Sequence, residues 1–270
     1  MHADGSIQSW RDLCAVGISR HADVVSPVAV DAGHDQNSGW PIHGFIVMHP
    51  ITSDHLDVTT ADGHRLGVYR ARPNLPVRGS VLIVQEIFGV SPHIQAVADA
   101  YAAAGYEALA PQLFDRIAPN ILVPYADWAT GLAHARSLDP AQTMLDLEAC
   151  LSATLCPNQV GLVGFCWGGQ MAYLAACRLS LRAVISYYGG GIPACLAERP
   201  RCPLQFHFGA EDGSIPASDI EQIRIAVPQA EFHLYPAGHA FNNADRASFD
   251  AKSAALSLDR ALAFLRVHLD

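Results

Sequence analysis

Residues 160–169, Val-Gly-Leu-Val-Gly-Phe-Cys-Trp-Gly-Gly, decide the fold. Val160–Phe165 is a short apolar run that reads as a buried strand, and 169–178 reads as a helix. The junction Gly164-Phe165-Cys166-Trp167-Gly168 has the form Gly-x-nucleophile-x-Gly of a strand–turn–helix elbow, with cysteine in the place of serine. The nucleophile of such an elbow occupies a strained turn, so the residues two before and two after it must be small. The turn also sets the sulfur at a helix N-terminus, where the dipole favours thiolate. A buried structural cysteine in a glycine-rich turn is the competing reading. Strand, elbow and helix occurring together favour the nucleophile.

Outward from the elbow the pattern continues in both directions. Residues 57–60 and 65–70 flank Asp62-Gly63, a hairpin signal. Residues 80–86 (SVLIVQE) form a continuous apolar run ending in a carboxylate, as expected of a strand buried on both faces. Then 93–104 reads as helix, 106–110 as strand and 141–154 as helix. Beyond the elbow, 183–188 and 204–208 read as strands, 217–226 as helix, 231–235 as strand and 248–268 as a long closing helix. Short apolar strands alternating with helices predict an α/β fold, a mostly parallel central sheet with helices on both faces. In such a sheet the chemistry belongs at the carboxyl ends of the strands. That rule selects Glu86, Cys166, residues 187–191, Asp212 and His239.

Asp212 follows the strand 204–208, and His239 follows the strand 231–235. The chain order nucleophile, acid, histidine is that of the α/β-hydrolases. In this reading His239 takes and returns a proton, while Asp212 fixes its tautomer and stabilises the imidazolium. Asp-Gly is a common turn, and Glu211 competes with Asp212 for the acid role. His207 and His233, inside strands, read as core or surface residues. The backbone N–H groups of Ile87, after the central strand, and of Trp167, after the nucleophile, are expected to form an oxyanion hole. Glu86 either bonds loop backbone or influences the Cys166 proton. The chain lacks His-Glu-x-x-His and Cys-x-x-Cys, so no metal site is expected. No cofactor is implied either, since side chains alone can perform acyl transfer.

The 270 residues fit one large α/β domain, and half are hydrophobic, enough for a sizeable core. Seventeen basic against 26 acidic residues give a formal net charge of −9. Such a chain lacks the electrostatic footprint of a nucleic-acid binder. Its one lysine, Lys252, leaves little scope for a P-loop or a lysine Schiff base. Seven cysteines, an odd number, favour a reducing compartment over a disulfide framework. The opening Met-His-Ala-Asp lacks the basic and apolar regions of a signal peptide, and no stretch approaches the ~18 apolar residues of a membrane span. A soluble cytoplasmic monomer is expected, with no nucleic-acid or membrane partner. Residues 1–52 read as an N-terminal extension, either poorly ordered or packed through Trp40, Ile42, Phe45 and Ile46. Residues 53–270 read as the domain.

From about Asp57 onward the chain resembles the dienelactone hydrolase family, carboxymethylenebutenolidases of the α/β-hydrolase fold. The resemblance rests on Gln85-Glu86-Ile87-Phe88-Gly89-Val90, Gly105-Tyr106, residues 110–116 (APQLFDR), the elbow, Tyr187-Tyr188-Gly189-Gly190-Gly191, residues 209–212 (GAED) and 237–241 (AGHAF). It implies a Cys166/Asp212/His239 triad, an acyl-enzyme and a small-molecule ester or lactone substrate. It also implies that Glu86 takes the Cys166 proton when substrate binds. The best-known members grip the substrate carboxylate with two arginines, one of them four residues after the catalytic histidine, where this chain has Asn243. Arg116 and Arg136 are candidates for the other, and Arg246 for a substitute one turn further on. The candidate substrate-binding residues are therefore Phe88, Tyr188, Phe241, Asn243, Arg116 and Arg246. A general carboxylesterase or thioesterase on the same scaffold is a second reading. A catalytically silent binding module is a third, although a silent scaffold would normally have lost part of the triad.

Overall fold

The computed structural model describes residues 49–270. The expectations for Trp40, Ile42, Phe45 and Ile46 lie outside the described residues. Among those described, eight strands form one sheet: β1 (Ile51–Thr59), β2 (Arg65–Pro73), β3 (Ser80–Val84), β4 (Glu107–Pro111), β5 (Val160–Phe165), β6 (Ala183–Tyr187), β7 (Leu204–Gly209) and β8 (Glu231–Tyr235). Their order is β1-β2-β4-β3-β5-β6-β7-β8. β2 runs antiparallel to β1 and β4, and the remaining pairs are parallel. The helices are α1 (Pro92–Ala103), α2 (Trp128–Ser137), α3 (Pro140–Ala153), α4 (Trp167–Arg178), α5 (Ala217–Ala226) and α6 (Ala251–Leu269).

The central strands β3, β5, β6 and β7 are buried throughout, which is why they read as unbroken apolar runs. Helices cover both faces of β5. A side chain at Gly161 would meet Leu265 and Leu269 of α6, whereas one at Gly164, three residues on and so on the opposite face, would meet Ala172 of α4. The helices start where capping chemistry starts them. Asp139 accepts from Ala141 N at 2.8 Å with Pro140 in the first turn, and Asp250 accepts from Ser253 N at 2.7 Å. The Asp250 cap delays α6 to Ala251, three residues later than the apolar pattern suggested.

Two elements depart most from expectation. β1 begins at Ile51, not at 57. It is an edge strand exposed along most of its length, so burial imposes no apolar alternation on it. Its charges pair across to β2 instead, Asp54 with Arg70 and Arg72, and Asp57 with Arg65. Helix α2 was not expected at all. Asp127 caps it by accepting from Thr130 N at 3.3 Å. Among the described residues no helix is long and apolar enough to cross a membrane.

Candidate active site

Cys166 joins β5 to α4 with φ 56° and ψ −116°. A non-glycine residue at positive φ is costly, roughly 1–3 kcal/mol, and persists only where its surroundings enforce it. Here they do. Cys166 N donates to Tyr187 O at 3.0 Å, and Cys166 O accepts from Gly169 N at 2.9 Å. A Cβ on Gly164 would overlap the Gly168 carbonyl oxygen, and one on Gly168 would overlap the carbonyl oxygens of Val84 and Gln85. The elbow is thus wedged against the end of β3, and neither glycine can carry a side chain.

Two loops bring partners to the sulfur. His239, after β8, sets its Nε2 3.2 Å from Cys166 Sγ and its Nδ1 2.7 Å from Asp212 Oδ2. The Asp212 side chain is buried, and its Oδ1 accepts from Ser214 N at 2.8 Å. Glu211, the competing carboxylate, is exposed, so Asp212 is the acid that touches His239. Burial works against the imidazolium. The hydrogen bonds to Asp212 and Cys166 and the charges of both groups outweigh it, and the His239 pKa is pushed up to about 10.

Glu86 lies at the end of β3, 1% exposed. Its Oε2 accepts from Asn243 Nδ2 at 2.9 Å, and its Oε1 accepts from Tyr188 OH at 3.3 Å. The one Tyr188 hydroxyl proton is shared with Asn242 Oδ1, and Asn243 Nδ2 also donates to Tyr125 OH at 3.3 Å. Burial raises the Glu86 pKa, although His239, Asn243, Arg246 and Tyr188 each pull it down. The next residue, Ile87, is braced by α2. A side chain at Gly131 would overlap the Ile87 carbonyl oxygen, so the helix and the loop touch backbone to backbone. Among the described residues, the N–H groups of Ile87 and Trp167 have no protein acceptor.

These groups open into a cleft of about 770 Å³. Glu86, Ile87, Phe88, Cys166, Trp167, His239, Arg136 and Arg246 all line it. The Arg246 guanidinium lies 5.2 Å from the Phe88 ring centre and 5.6 Å from that of Tyr125. Other expected substrate contacts lie elsewhere. Tyr188, Phe241 and Asn243 are fully buried behind the cleft wall, with Asn243 turned toward Glu86. Arg116 does not line the cleft. Its guanidinium is held by Asp146 at 2.8 Å and by Asp62 at 2.9 Å, beneath the hairpin turn. Sequence reasoning missed Tyr125 and the α2 wall, Trp128, Leu132 and Ala135. The wall did leave a signal: an Asp cap followed by apolar residues at spacings of four and three. Among the described residues no group of three His, Cys, Asp or Glu side chains stands close enough to hold a metal ion.

A mostly parallel sheet with a Gly-x-Cys-x-Gly elbow after β5, a carboxylate after β7 and a histidine after β8 has the architecture of an α/β-hydrolase. The family profile described as "Dienelactone hydrolase family" matches residues 66–269, and the chain belongs to that family. A Synechocystis sp. protein provisionally named carboxymethylenebutenolidase is 36% identical over 199 residues, covering 65% of this chain and 80% of its own. Carboxymethylenebutenolidase 1 of Cupriavidus pinatubonensis is 30% identical over 231 residues, covering 81% and 98%. A crystal structure from Klebsiella pneumoniae, provisionally called a dienelactone hydrolase, superposes with a TM-score of 0.74 at 30% identity, covering 81% of this chain and 99% of that one. Family and fold together make the protein a hydrolase acting on esters or lactones.

Proposed function

We propose that Cys166, His239 and Asp212 form a catalytic triad that opens an ester or lactone through an acyl-enzyme. The observation carrying this is the unbroken run of contacts from sulfur to imidazole to carboxylate, 3.2 and 2.7 Å. The Cys166 sulfur attacks the carbonyl carbon as thiolate, forming the S–C bond. The carbonyl electron pair moves onto oxygen, which the N–H groups of Ile87 and Trp167 receive. Collapse breaks the C–O bond, and His239 Nε2–H gives its proton to the departing alkoxide. His239 then takes a proton from water as that water attacks the thioester, releasing the acid and restoring the thiolate. Asp212 holds Nδ1–H and so keeps Nε2 aimed at the sulfur. The raised His239 pKa keeps Nε2 protonated and ready to serve the departing alkoxide.

Glu86 takes the Cys166 proton when substrate binds to the thiol form, and returns it to the thiolate once the acid product has left. To do so it exchanges its bonds to Tyr188 and Asn243 for the sulfur. Arg246 lines the cleft, its charge acts on Glu86, and it serves any substrate carboxylate. Asn243, turned inward to Glu86, supplies no charge to the cleft, so any preference for carboxylated lactones over neutral esters rests on Arg246. A general carboxylesterase or thioesterase would use the same machinery; a panel of lactones, oxygen esters and thioesters separates the readings. The need for a free thiol suits a reducing, cytoplasmic setting. In p-nitrophenyl acetate hydrolysis, Cys166→Ala should lose at least ~10³-fold in kcat while retaining the wild-type circular dichroism spectrum. A folded variant with most of the wild-type rate would overturn the triad.

A further inference from the structure

The cleft is longer than the reacting centre needs. Beyond Cys166 it runs into the seam between α2 and α4. Helix α2 presents Trp128, Leu132 and Ala135, spaced four and three residues apart, and α4 presents Met171 and Leu174, three apart. These spacings put each set on one helical stripe. Leu138, just past α2, lines the same space. From Cys166 to Leu174 the helix advances ~12 Å. The walls of the seam are hydrocarbon. Arg136 sits on its exposed rim, and Trp128, 60% exposed, stands at its mouth.

The sheet order says which half of the substrate enters. His239 and Asp212 follow β8 and β7, on one side of β5, while Ile87 follows β3, on the other. Helix α2 packs its Gly131 against Ile87, so the seam opens on the β3 side. The leaving alcohol must depart toward His239, which protonates it. The acyl part therefore points away from His239, into the seam. We propose that the α2–α4 seam is an acyl-chain subsite, and that the preferred substrates carry an unbranched apolar acyl group of medium length. This deepens the reading of the Cys166 centre and rests on it.

The test is kcat/KM of the full chain on p-nitrophenyl acetate, butanoate and octanoate. Each buried methylene strengthens binding about fourfold, so octanoate should exceed acetate by at least ~30-fold. Leu132→Asp puts a charge in the seam and should cut the octanoate-to-acetate ratio at least ~10-fold. Trp128→Ala, at an exposed position where folding is not at risk, should cut it ~3-fold or more. Alkyl acetates from ethyl to octyl should show no comparable rise. A flat acyl series in wild type, a ratio unchanged in both variants, or a rise confined to the alkyl series would each overturn the subsite. Failure of the underlying reading looks different: Cys166→Ala would then keep acetate turnover whatever the chain-length ratio does.

Discussion

Glu86 is a buried carboxylate whose charge is set by four neighbours on two loops. His239 and Asn243 follow β8, Arg246 lies one turn on, and Tyr188 follows β6; each lowers its pKa, and burial raises it more. Asn243 is the neighbour most easily removed, because leucine has nearly its size and no donor. A hydrogen bond to a charged group contributes about 1.5–3 kcal/mol, and it favours the carboxylate. Losing it should push the Glu86 pKa further up. If ionised Glu86 serves the reaction, the acidic limb of the kcat/KM profile of Asn243→Leu moves to higher pH by about one unit, and Glu86→Gln loses that limb. A variant slowed equally at every pH would leave Asn243 a packing residue only. The residues at this scale differ in how openly the sequence shows them. Cys166, Asp212 and His239 each stand just past a strand end, where local pattern and chain order suffice. Asn243 does not show itself that way. Its place four residues after His239 suggests a substrate contact, and only its burial against Glu86 reveals an inward role. Tyr125 left no signal, since it is a loop residue whose partner Asn243 is 118 positions away.

At the scale of elements, the interlock of α2 with the Ile87 loop links helix packing to rate. Gly131→Ala gains helix propensity, about 1 kcal/mol. Its new Cβ must nonetheless displace the Ile87 carbonyl or push α2 outward. An oxyanion-hole donor commonly supplies 10²–10³ in kcat, and a partial displacement of the Ile87 N–H should cost at least ~10-fold. KM and melting temperature should change little. Full kcat in this variant would show that α2 does not position the loop, and a large fall in melting temperature would point to plain overpacking. The same helix shows where sequence pattern runs out. β5 begins and ends where the pattern placed it, because burial on both faces makes it an unbroken apolar run; α5 and β8, much less buried, also keep the bounds read from the sequence. In α2 the stripe is thin and interrupted by Gly131, the residue its contact requires. β1 is hidden for the opposite reason: an edge strand paired by Asp and Arg side chains has no core-facing alternation to read.

At the scale of the whole molecule, Arg116 ties three distant segments together. It ends the short turn Leu113–Arg116 after β4, and its guanidinium meets Asp146 on α3 through two 2.8 Å bonds and Asp62 in the β1–β2 turn at 2.9 Å. No one of these residues announces the cluster in sequence, where Arg116 reads as a candidate substrate contact and Asp62 as a turn residue. Asp146 is the vulnerable member, 1% exposed. Burial raises its pKa, Arg116 and His64 pull it down, and Asp62 raises it. Arg116→Met keeps much of the packing and removes the countercharge. Breaking a buried pair costs about 3–5 kcal/mol, and a domain of this size loses roughly 2–4 °C of melting temperature per kcal/mol. A fall of at least ~6 °C at pH 8 is therefore expected. The deficit should depend on pH with a definite sign. Without Arg116, the folded-state pKa of Asp146 rises further above its unfolded value near 3.9. A group raised in this way favours folding at low pH and loses that contribution as pH rises through its folded pKa. The gap between variant and wild type should narrow as pH is lowered from 8 toward 5, in thermal melts at constant ionic strength. Turnover per folded molecule should hold, since Arg116 stands outside the cleft. A gap of constant size across that range would mean that lost packing around the guanidinium, rather than the stranded Asp146 charge, sets the stability.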